Sequence, residues 1–283
     1  MVTPTRTERL SAVPAPVLVL GGIVSVQIGG AIAKSLFSQV GAVGAVTLRL
    51  GAAALVMLAL LRRPQLRRED LPLIGLYGLT LALMNATFYE ALSRVPIGAA
   101  VTVEFLGPLG VAVAGSRRAR DGVAVVLAGA GILLLARAGG HLDPLGLLLA
   151  AVAGACWAAY ILISAQIGRR HEGTAPLAVA MTVGAVLVLP FGLRSALHAD
   201  ARTLLIGAGV GMLSSVIPYS LELQALRRLP ASVFGVLMSL EPAVAALAGL
   251  VVLGEQLGAP QWAGIGCVIA ACAAVTATRS PER

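Results

Sequence analysis

The sequence has few charged residues and few aromatic residues. Of its 283 residues, 12% are charged and 4% are aromatic, whereas 58% are hydrophobic and the mean hydropathy is +0.92. A soluble domain carries about twice this share of charge. The shortage excludes a soluble globule, because too little polar surface remains to face water. The apolar residues are mainly small and aliphatic, which suits closely packed membrane helices.

Other absences exclude classes of function. The three cysteines lie inside apolar runs without the spacing of metal ligands, so no metal site is predicted. The sequence has no P-loop, GxSxG or HExxH motif, which predicts a protein that is not an enzyme, has no cofactor and is not itself an ATP-driven pump. The net charge of +8 does not predict nucleic-acid binding, because the arginines cluster between apolar runs as topology signals do.

Apolar runs of helical length fill most of the chain. A membrane span needs about 20 such residues. The runs are 15–36, 42–61, 71–92, 97–115, 121–137, 144–168, 175–193, 202–225, 231–252 and 260–277. They predict an all-α integral membrane protein with ten transmembrane helices. The short connections leave no room for a separate soluble catalytic domain.

The arginines between the runs indicate the orientation. With a cytoplasmic N-terminus, fifteen arginines fall in cytoplasmic segments and four fall outside. Positive residues accumulate on the cytoplasmic side of membrane proteins. The sequence therefore predicts a multi-pass protein of the bacterial cytoplasmic (inner) membrane, N-in and C-in.

The two halves of the chain resemble each other. Residues 91–115 align without gaps on residues 225–249, an offset of 134 residues that superimposes two prolines and a final glycine. Five spans per half is an odd number, so the halves would have opposite orientations, as in many secondary transporters. The predicted units are a cytoplasmic tail at 1–14, five-helix repeats at 15–137 and 144–277, and a cytoplasmic tail at 278–283.

Two cations lie inside predicted spans, where ionisable groups are costly and usually functional. Lys34, the one lysine of the sequence, lies near the end of the first span, seven residues after Gln27. It either pairs with a carboxylate, as part of the protein or of a substrate, or extends to the outer interface. Arg49 lies within the second span and cannot lose its charge. It therefore either holds an anion, forms a structural ion pair or extends toward the outer face of the membrane.

Other polar side chains share helical faces within the spans, and we expect them to line a translocation path. Aromatic walls with a few hydroxyls suit a metabolite cavity, although packing explains such a stripe equally well. These candidates are Asn85 and Tyr89 in the third span, Trp157, Tyr160 and Ser164 in the sixth, and Tyr219 and Glu222, with Ser215, in the eighth.

Three glutamates inside predicted spans are the candidates for proton coupling: Glu104, Glu222 and Glu241. The repeat places Glu104 and Glu241 one turn apart on matching helices. A carboxyl group in a low-dielectric site binds a proton more readily than one in water, which is what proton-coupled transport requires. A purely structural pairing of each glutamate is the alternative.

Several stretches resemble the drug/metabolite transporter superfamily of the EamA type, and within it the bacterial threonine/homoserine exporter family. They are AKSLF at 33–37, LRL at 48–50, PIGAAVTVEFLGPLGVA at 96–112, AGACWAAYIL at 153–162 and PYSLELQALRRLPASVFGVLMSLEPAVAAL at 218–247. The resemblance implies proton-driven export of small amino acids such as L-threonine and L-homoserine. Glu90 departs from the pattern, where an apolar residue is expected.

The expected partners are therefore a small amino acid, protons and the lipid bilayer, in a monomer or a homodimer. We expect the substrate carboxylate at Lys34 or Arg49 and its ammonium at Glu222 or Glu241. The alternatives are a drug or metabolite exporter of other specificity on the same fold, for which a more aromatic cavity is expected, and an intramembrane enzyme, for which no constellation is present.

Overall fold

The computed structural model describes residues 13–61, 66–114, 119–137, 142–168, 170–171, 175–226, 228–229, 234 and 237–277. Regular structure in these ranges is helical, without strands. The first half contains α1 (Ala15–Ser35), α2 (Phe37–Leu60), a 3₁₀ turn (Arg68–Asp70), α3 (Leu71–Leu92), α4 (Ile97–Glu104), α5 (Leu106–Ala114) and α6 (Ala119–Arg137). The second half contains α7 (Pro144–Gly168), α8 (Ala175–Leu197), α9 (Ala201–Gly211), α10 (Ile217–Leu226), α11 (Glu241–Ala248) and α12 (Ala259–Ala277).

Six helical stretches in the described ranges are long and apolar enough to cross a membrane. Four shorter apolar helices overlap the remaining predicted runs: Ile97–Val111, Val123–Leu134, Glu241–Leu253 and Ala259–Ala274. Residues 231–233 and 235–236 of the ninth predicted run lie outside the described residues. The chain is thus a multi-pass membrane protein whose regular structure, in the described residues, is entirely helical. Helices predominate because each closes its own backbone hydrogen bonds, which lipid cannot supply.

The structure corrects several predicted boundaries. The second helix begins at Phe37 rather than at residue 42 and bends at Gly41, whose φ of +69° is readily accessible to glycine. The fourth predicted run is broken at Phe105 into α4 and α5. The eighth run contains a π-helical segment, Met212–Val216, between α9 and α10, and a second π segment, Gly249–Leu253, follows α11. Periodicity of apolar residues does not reveal such local changes in helical winding.

Apolar side chains cover much of the outer surface of the bundle. Leu55, Phe191 and Val251 are 71%, 79% and 81% exposed. Such side chains are favourable against lipid and unfavourable against water, so this surface fits the bilayer interior. Inside the bundle, glycines let helices approach closely: a Cβ at Gly107 would overlap the backbone carbonyl of Gly154.

The helix contacts cross between the two halves. Helix α2 packs on α8, α4 on α11, and α6 on α12. Helix α3 packs on α7, while α1 packs on α10. The break at Phe105 between α4 and α5 also has a counterpart at Ser239 and Leu240, directly before α11. These positions, 105 and 239, are separated by 134 residues, which is the offset of the predicted sequence repeat.

Contacts between links define two ends of the bundle. At one end Asp70, before α3, binds Arg170 and His171, after α7. At this end Arg228 also donates a hydrogen bond to the Val13 carbonyl. At the opposite end of α3 and α7, Arg94 pairs with Asp143. The segments in contact at the first end are all predicted to be cytoplasmic, and those in contact at the second end are predicted to lie on the outer side of the membrane.

Candidate functional site

A central cavity of about 140 Å³ lies between helices of both halves. Its walls combine apolar side chains with polar groups that the sequence had placed on separate spans. The predicted residues that line it are Gln27, Arg49, Asn85, Glu104, Trp157, Tyr160, Tyr219, Glu222 and Glu241. The structure therefore brings together nine of the predicted site residues around one small chamber.

Arg49 is the fixed positive charge of this cavity. It is 8% exposed and donates hydrogen bonds to the Tyr89 hydroxyl at 3.2 Å, the Ser214 carbonyl at 3.0 Å and the Ser215 hydroxyl at 3.4 Å. All three partners are neutral, and none of the ion pairs between described residues includes Arg49. A guanidinium has five N–H groups, so two remain for a ligand.

The π-helical segment supplies two of these partners. In a π turn the backbone is wound more loosely than in an α-helix, and such turns occur often at functional sites. Here the Ser214 carbonyl faces the guanidinium instead of only its own helix. Ser25 of α1 holds the segment from the other side by donating to the Leu213 carbonyl at 2.7 Å.

Three carboxyl groups share the cavity with Arg49. Glu104 and Glu241 are 8% and 6% exposed, and Glu222 is intermediate in burial. Gln27 donates a long hydrogen bond of 3.5 Å to Oε1 of Glu241, while Oε2 of Glu241 is buried without a partner. An ionised carboxylate in such a place needs a cation, and a protonated one needs an acceptor.

Tyr89 stands behind the cavity and does not line it. Its side chain is completely buried, and the Arg49 guanidinium lies 5.4 Å from its ring centroid. Tyr89 therefore positions Arg49 by a hydrogen bond and a cation–π contact. Asn85, one turn earlier, lines the cavity and donates to the Leu81 carbonyl at 2.8 Å.

A second cavity of about 400 Å³ adjoins the first. Tyr160, Tyr219 and Glu222 line both cavities and so form the neck between them. Ser164 lies in this second cavity rather than in the central one, and His171 marks the end where the α7–α8 link lies. The central cavity thus leads toward the end of the bundle that holds Asp70 and Arg170.

Lys34 lies away from both cavities. Its amine contacts Glu255 Oε1 at 2.6 Å and donates to the Val95 carbonyl at 2.8 Å. The other oxygen of Glu255 accepts from the Ile97 N–H at 2.9 Å, which caps the start of α4. The side chains are 20% and 16% exposed. This cluster joins α1 and α4 to the segment after α11, on the opposite side of the central cavity from the neck.

At the neck end, Asp70 is held by two partners, Arg170 Nη1 at 2.6 Å and His171 Nε2 at 2.8 Å. The Arg170 hydrogen bond is the main cause that lowers the pKa of the Asp70 carboxyl below its ordinary value. Glu90, unexpected in the sequence, pairs with Arg94 at 2.9 Å at the other end and lines neither cavity.

Comparison with known proteins places the chain in a family. The model of the EamA-like transporter family matches residues 144–277. A protein named threonine/homoserine exporter RhtA from Escherichia coli K12 is 43% identical over 274 residues, which cover 94% of this chain and 92% of that protein. The chain belongs to the EamA-like transporter family. Its Salmonella typhimurium LT2 relative, also named RhtA, is 43% identical over 280 residues, or 94% of each chain.

Two further proteins are similar at lower sequence identity. The Bacillus subtilis protein named uncharacterized transporter YwfM is 28% identical over 256 residues, with 86% of each chain covered. A solved structure titled only "Crystal structure of protein" superimposes with a TM-score of 0.63 at 21% identity, covering 95% of this chain and 98% of its own. At that identity the likeness concerns the fold alone.

Three features of the structure could not be identified from the sequence: two long-range ion pairs and the role of Ser214. Glu255 lies 221 residues from Lys34, and Asp70 lies 100 residues from Arg170, so neither pairing leaves a local pattern. The sequence pattern does not point to Ser214, because only the π segment directs its carbonyl to Arg49. A search for acids near the ends of the predicted spans would have found Glu255 as a candidate partner for Lys34.

Proposed function

We propose that this protein exports small hydroxylated amino acids, threonine and homoserine, across the bacterial cytoplasmic membrane. The observation that carries the proposal is the buried Arg49 guanidinium, which lines a small cavity and has only neutral hydrogen-bonding partners among the described residues. A charge at membrane depth is costly unless it is neutralised. An amino-acid carboxylate offers the bidentate geometry that a guanidinium binds best.

The rest of the cavity fits the other end of the same substrate. Oε2 of Glu241 has no partner, and Glu222 lies in the same wall. We assign the substrate ammonium to Glu241, with Glu222 as the next acceptor toward the neck. Lys34 is not needed as a carboxylate ligand, because Glu255 and the Val95 carbonyl already occupy its amine.

The size of the chamber favours this substrate over a drug. Pockets for drug-sized ligands have volumes of about 300–1,000 Å³. The central cavity, which holds Arg49, is well below that range at about 140 Å³, and Tyr160, Tyr219 and Glu222 separate it from the larger second cavity. The names of the RhtA relatives, at 43% identity over nearly the whole chain, support the same substrate class.

Transport would proceed by alternating access in ten spans arranged as two inverted five-helix repeats, 15–137 and 144–277. Three observations support this arrangement: the 134-residue sequence offset, the matching breaks at Phe105 and Ser239, and the reciprocal packing of α3 on α7 and α1 on α10. The grouping of links at the two ends supports an N-in, C-in orientation. With that orientation the neck faces the cytoplasm, and the Lys34–Glu255 cluster closes the outer side.

Proton coupling is assigned to the carboxyl groups of the cavity. Glu104, Glu222 and Glu241 line the same small cavity, together with Arg49. When the substrate ammonium leaves, an exposed carboxylate can take up a proton instead. This exchange of one cation for another would link export of the amino acid to proton entry.

The test is amino-acid excretion from a bacterial strain that overproduces the protein. We expect threonine and homoserine to rise in the medium relative to a strain that produces Arg49→Met at equal membrane abundance. Unchanged excretion would refute the substrate assignment. For coupling, Glu104→Gln, Glu222→Gln and Glu241→Gln are compared in vesicles with an imposed proton gradient, and normal rates in all three would refute the proton mechanism.

A further inference from the structure

Two buried side-chain atoms in the described part of the chain have no hydrogen-bond partner, and both belong to the central cavity. They are Oε2 of Glu241 and Oγ of Ser214. Buried polar atoms in native proteins are nearly always paired. The carboxylate oxygen is explained by the substrate ammonium, whereas the Ser214 hydroxyl still lacks a role.

The position of Ser214 is fixed by contacts on both sides. Its carbonyl accepts from Arg49 Nη2 at 3.0 Å, so the residue adjoins the proposed carboxylate anchor. Its hydroxyl lies against Gly29 of α1, where a Cβ would overlap it. At 2% exposure the side chain has little access to water, and the nearby Ser215 hydroxyl is already used by Arg49.

We propose that the Ser214 hydroxyl forms a hydrogen bond with the side-chain hydroxyl of the substrate and is a specificity-determining residue of this transporter. The inference rests on the proposed function. A serine hydroxyl both donates and accepts, so it can pair with another hydroxyl in either direction. In threonine the hydroxyl is on the carbon next to Cα, so a carboxylate held at Arg49 brings it toward Ser214.

The consequence is discrimination against aliphatic amino acids of similar size. Valine replaces the threonine hydroxyl by a methyl group, and 2-aminobutyrate lacks it. Both would leave the Ser214 hydroxyl buried and unpaired. A site built to hydrogen-bond a substrate hydroxyl rejects the analogue that lacks it more strongly than an apolar pocket rejects a change in size.

The test is competition in proteoliposomes that contain wild type, Ser214→Ala or Ser215→Ala. Uptake of labelled threonine is inhibited with homoserine, valine or 2-aminobutyrate. We expect the preference of wild type for threonine over valine to fall about tenfold in Ser214→Ala, the change expected for one buried hydrogen bond. Ser215→Ala should weaken the binding of all four amino acids by the same factor, because Ser215 acts through Arg49 and does not contact the side chain of the substrate.

A second variant keeps the test independent of folding. Ser214→Cys preserves the size of the side chain but has a weak donor, and we expect it to carry 2-aminobutyrate as wild type does while losing the preference for threonine. An unchanged preference in both Ser214 variants, or an equal loss for all substrates, overturns the inference alone. A wild type that carries none of the four amino acids overturns the proposed function as well.

Discussion

Breaking the Lys34–Glu255 ion pair should open the outer side of the protein. The pair joins α1 and α4 to the segment after α11, and removing either charge leaves the other without its partner in a site that is 16–20% exposed. Removing one member of a fully buried pair costs about 3–5 kcal/mol, whereas an exposed pair contributes about 0–1 kcal/mol. An intermediate cost of about 2 kcal/mol corresponds to a shift of roughly thirtyfold toward the outward-open state.

The assay measures access to the cavity from outside. Val26, which lines the central cavity, is replaced by cysteine in a background without Cys156, Cys267 and Cys272, and a membrane-impermeant maleimide is added outside. We expect faster labelling in Lys34→Met and in Glu255→Gln, which retains an oxygen for the Ile97 N–H.

A double-mutant cycle supplies the control. The variant with both substitutions should label no faster than either single variant, because each substitution removes the same interaction. Arg94→Met breaks two ion pairs at the same end, with Glu90 and Asp143, whose side chains are 35–36% exposed, so it should change labelling little. Unchanged labelling in both single variants, or additive effects in the double variant, would refute the role of the Lys34–Glu255 pair in closing the outer side.

Three further predictions concern other parts of the molecule. Arg49→Lys keeps the charge but loses the planar fork, so the apparent Kd for threonine should rise at least tenfold in a binding assay, and near-normal affinity would refute bidentate anchoring. The hydrogen bond from Arg170 lowers the pKa of the Asp70 carboxyl below its ordinary value, so this pair stabilises the protein at neutral pH, and the stabilisation is lost as the pH falls from the ordinary pKa of an aspartate through the lowered pKa of Asp70. Asp70→Asn should lower the Tm in detergent at pH 7 and remove this part of the acid dependence, which an unchanged Tm would contradict. Gly107→Val should destabilise the protein by about 1–3 kcal/mol or more, because its side chain would overlap the Gly154 carbonyl, and wild-type thermal stability would contradict that packing.

The sequence predicted the composition of the cavity better than its geometry. Charged and polar residues are rare inside apolar runs, so Arg49, Glu104, Glu222 and Glu241 could be selected from their positions alone, and the structure gathers all four at one cavity. Helix periodicity assigns a side chain to a face but not to a neighbour. For that reason the burial of Tyr89 behind Arg49 could not be predicted.

The positions that were not predicted depend on long-range packing or on local helix winding. The sequence leaves Lys34 either paired with a carboxylate or extended to the outer interface, and its actual partner Glu255 comes from the other half of the chain. The π segment that aims Ser214 at Arg49 has no signature in the apolar pattern, because one wider turn hardly changes the periodicity. The helix break at Phe105 is similarly local, and it was included in a single predicted span.

The most direct measurement of the central claim is competition between threonine and its carboxamide in proteoliposomes containing the wild-type protein. The amide keeps the ammonium and the hydroxyl but lacks the carboxylate that we assign to Arg49. We expect unlabelled threonine and homoserine to inhibit uptake of labelled threonine, and threonine amide to be at least tenfold weaker. Inhibition by the amide as strong as that by threonine would contradict the assignment of Arg49 as the carboxylate anchor.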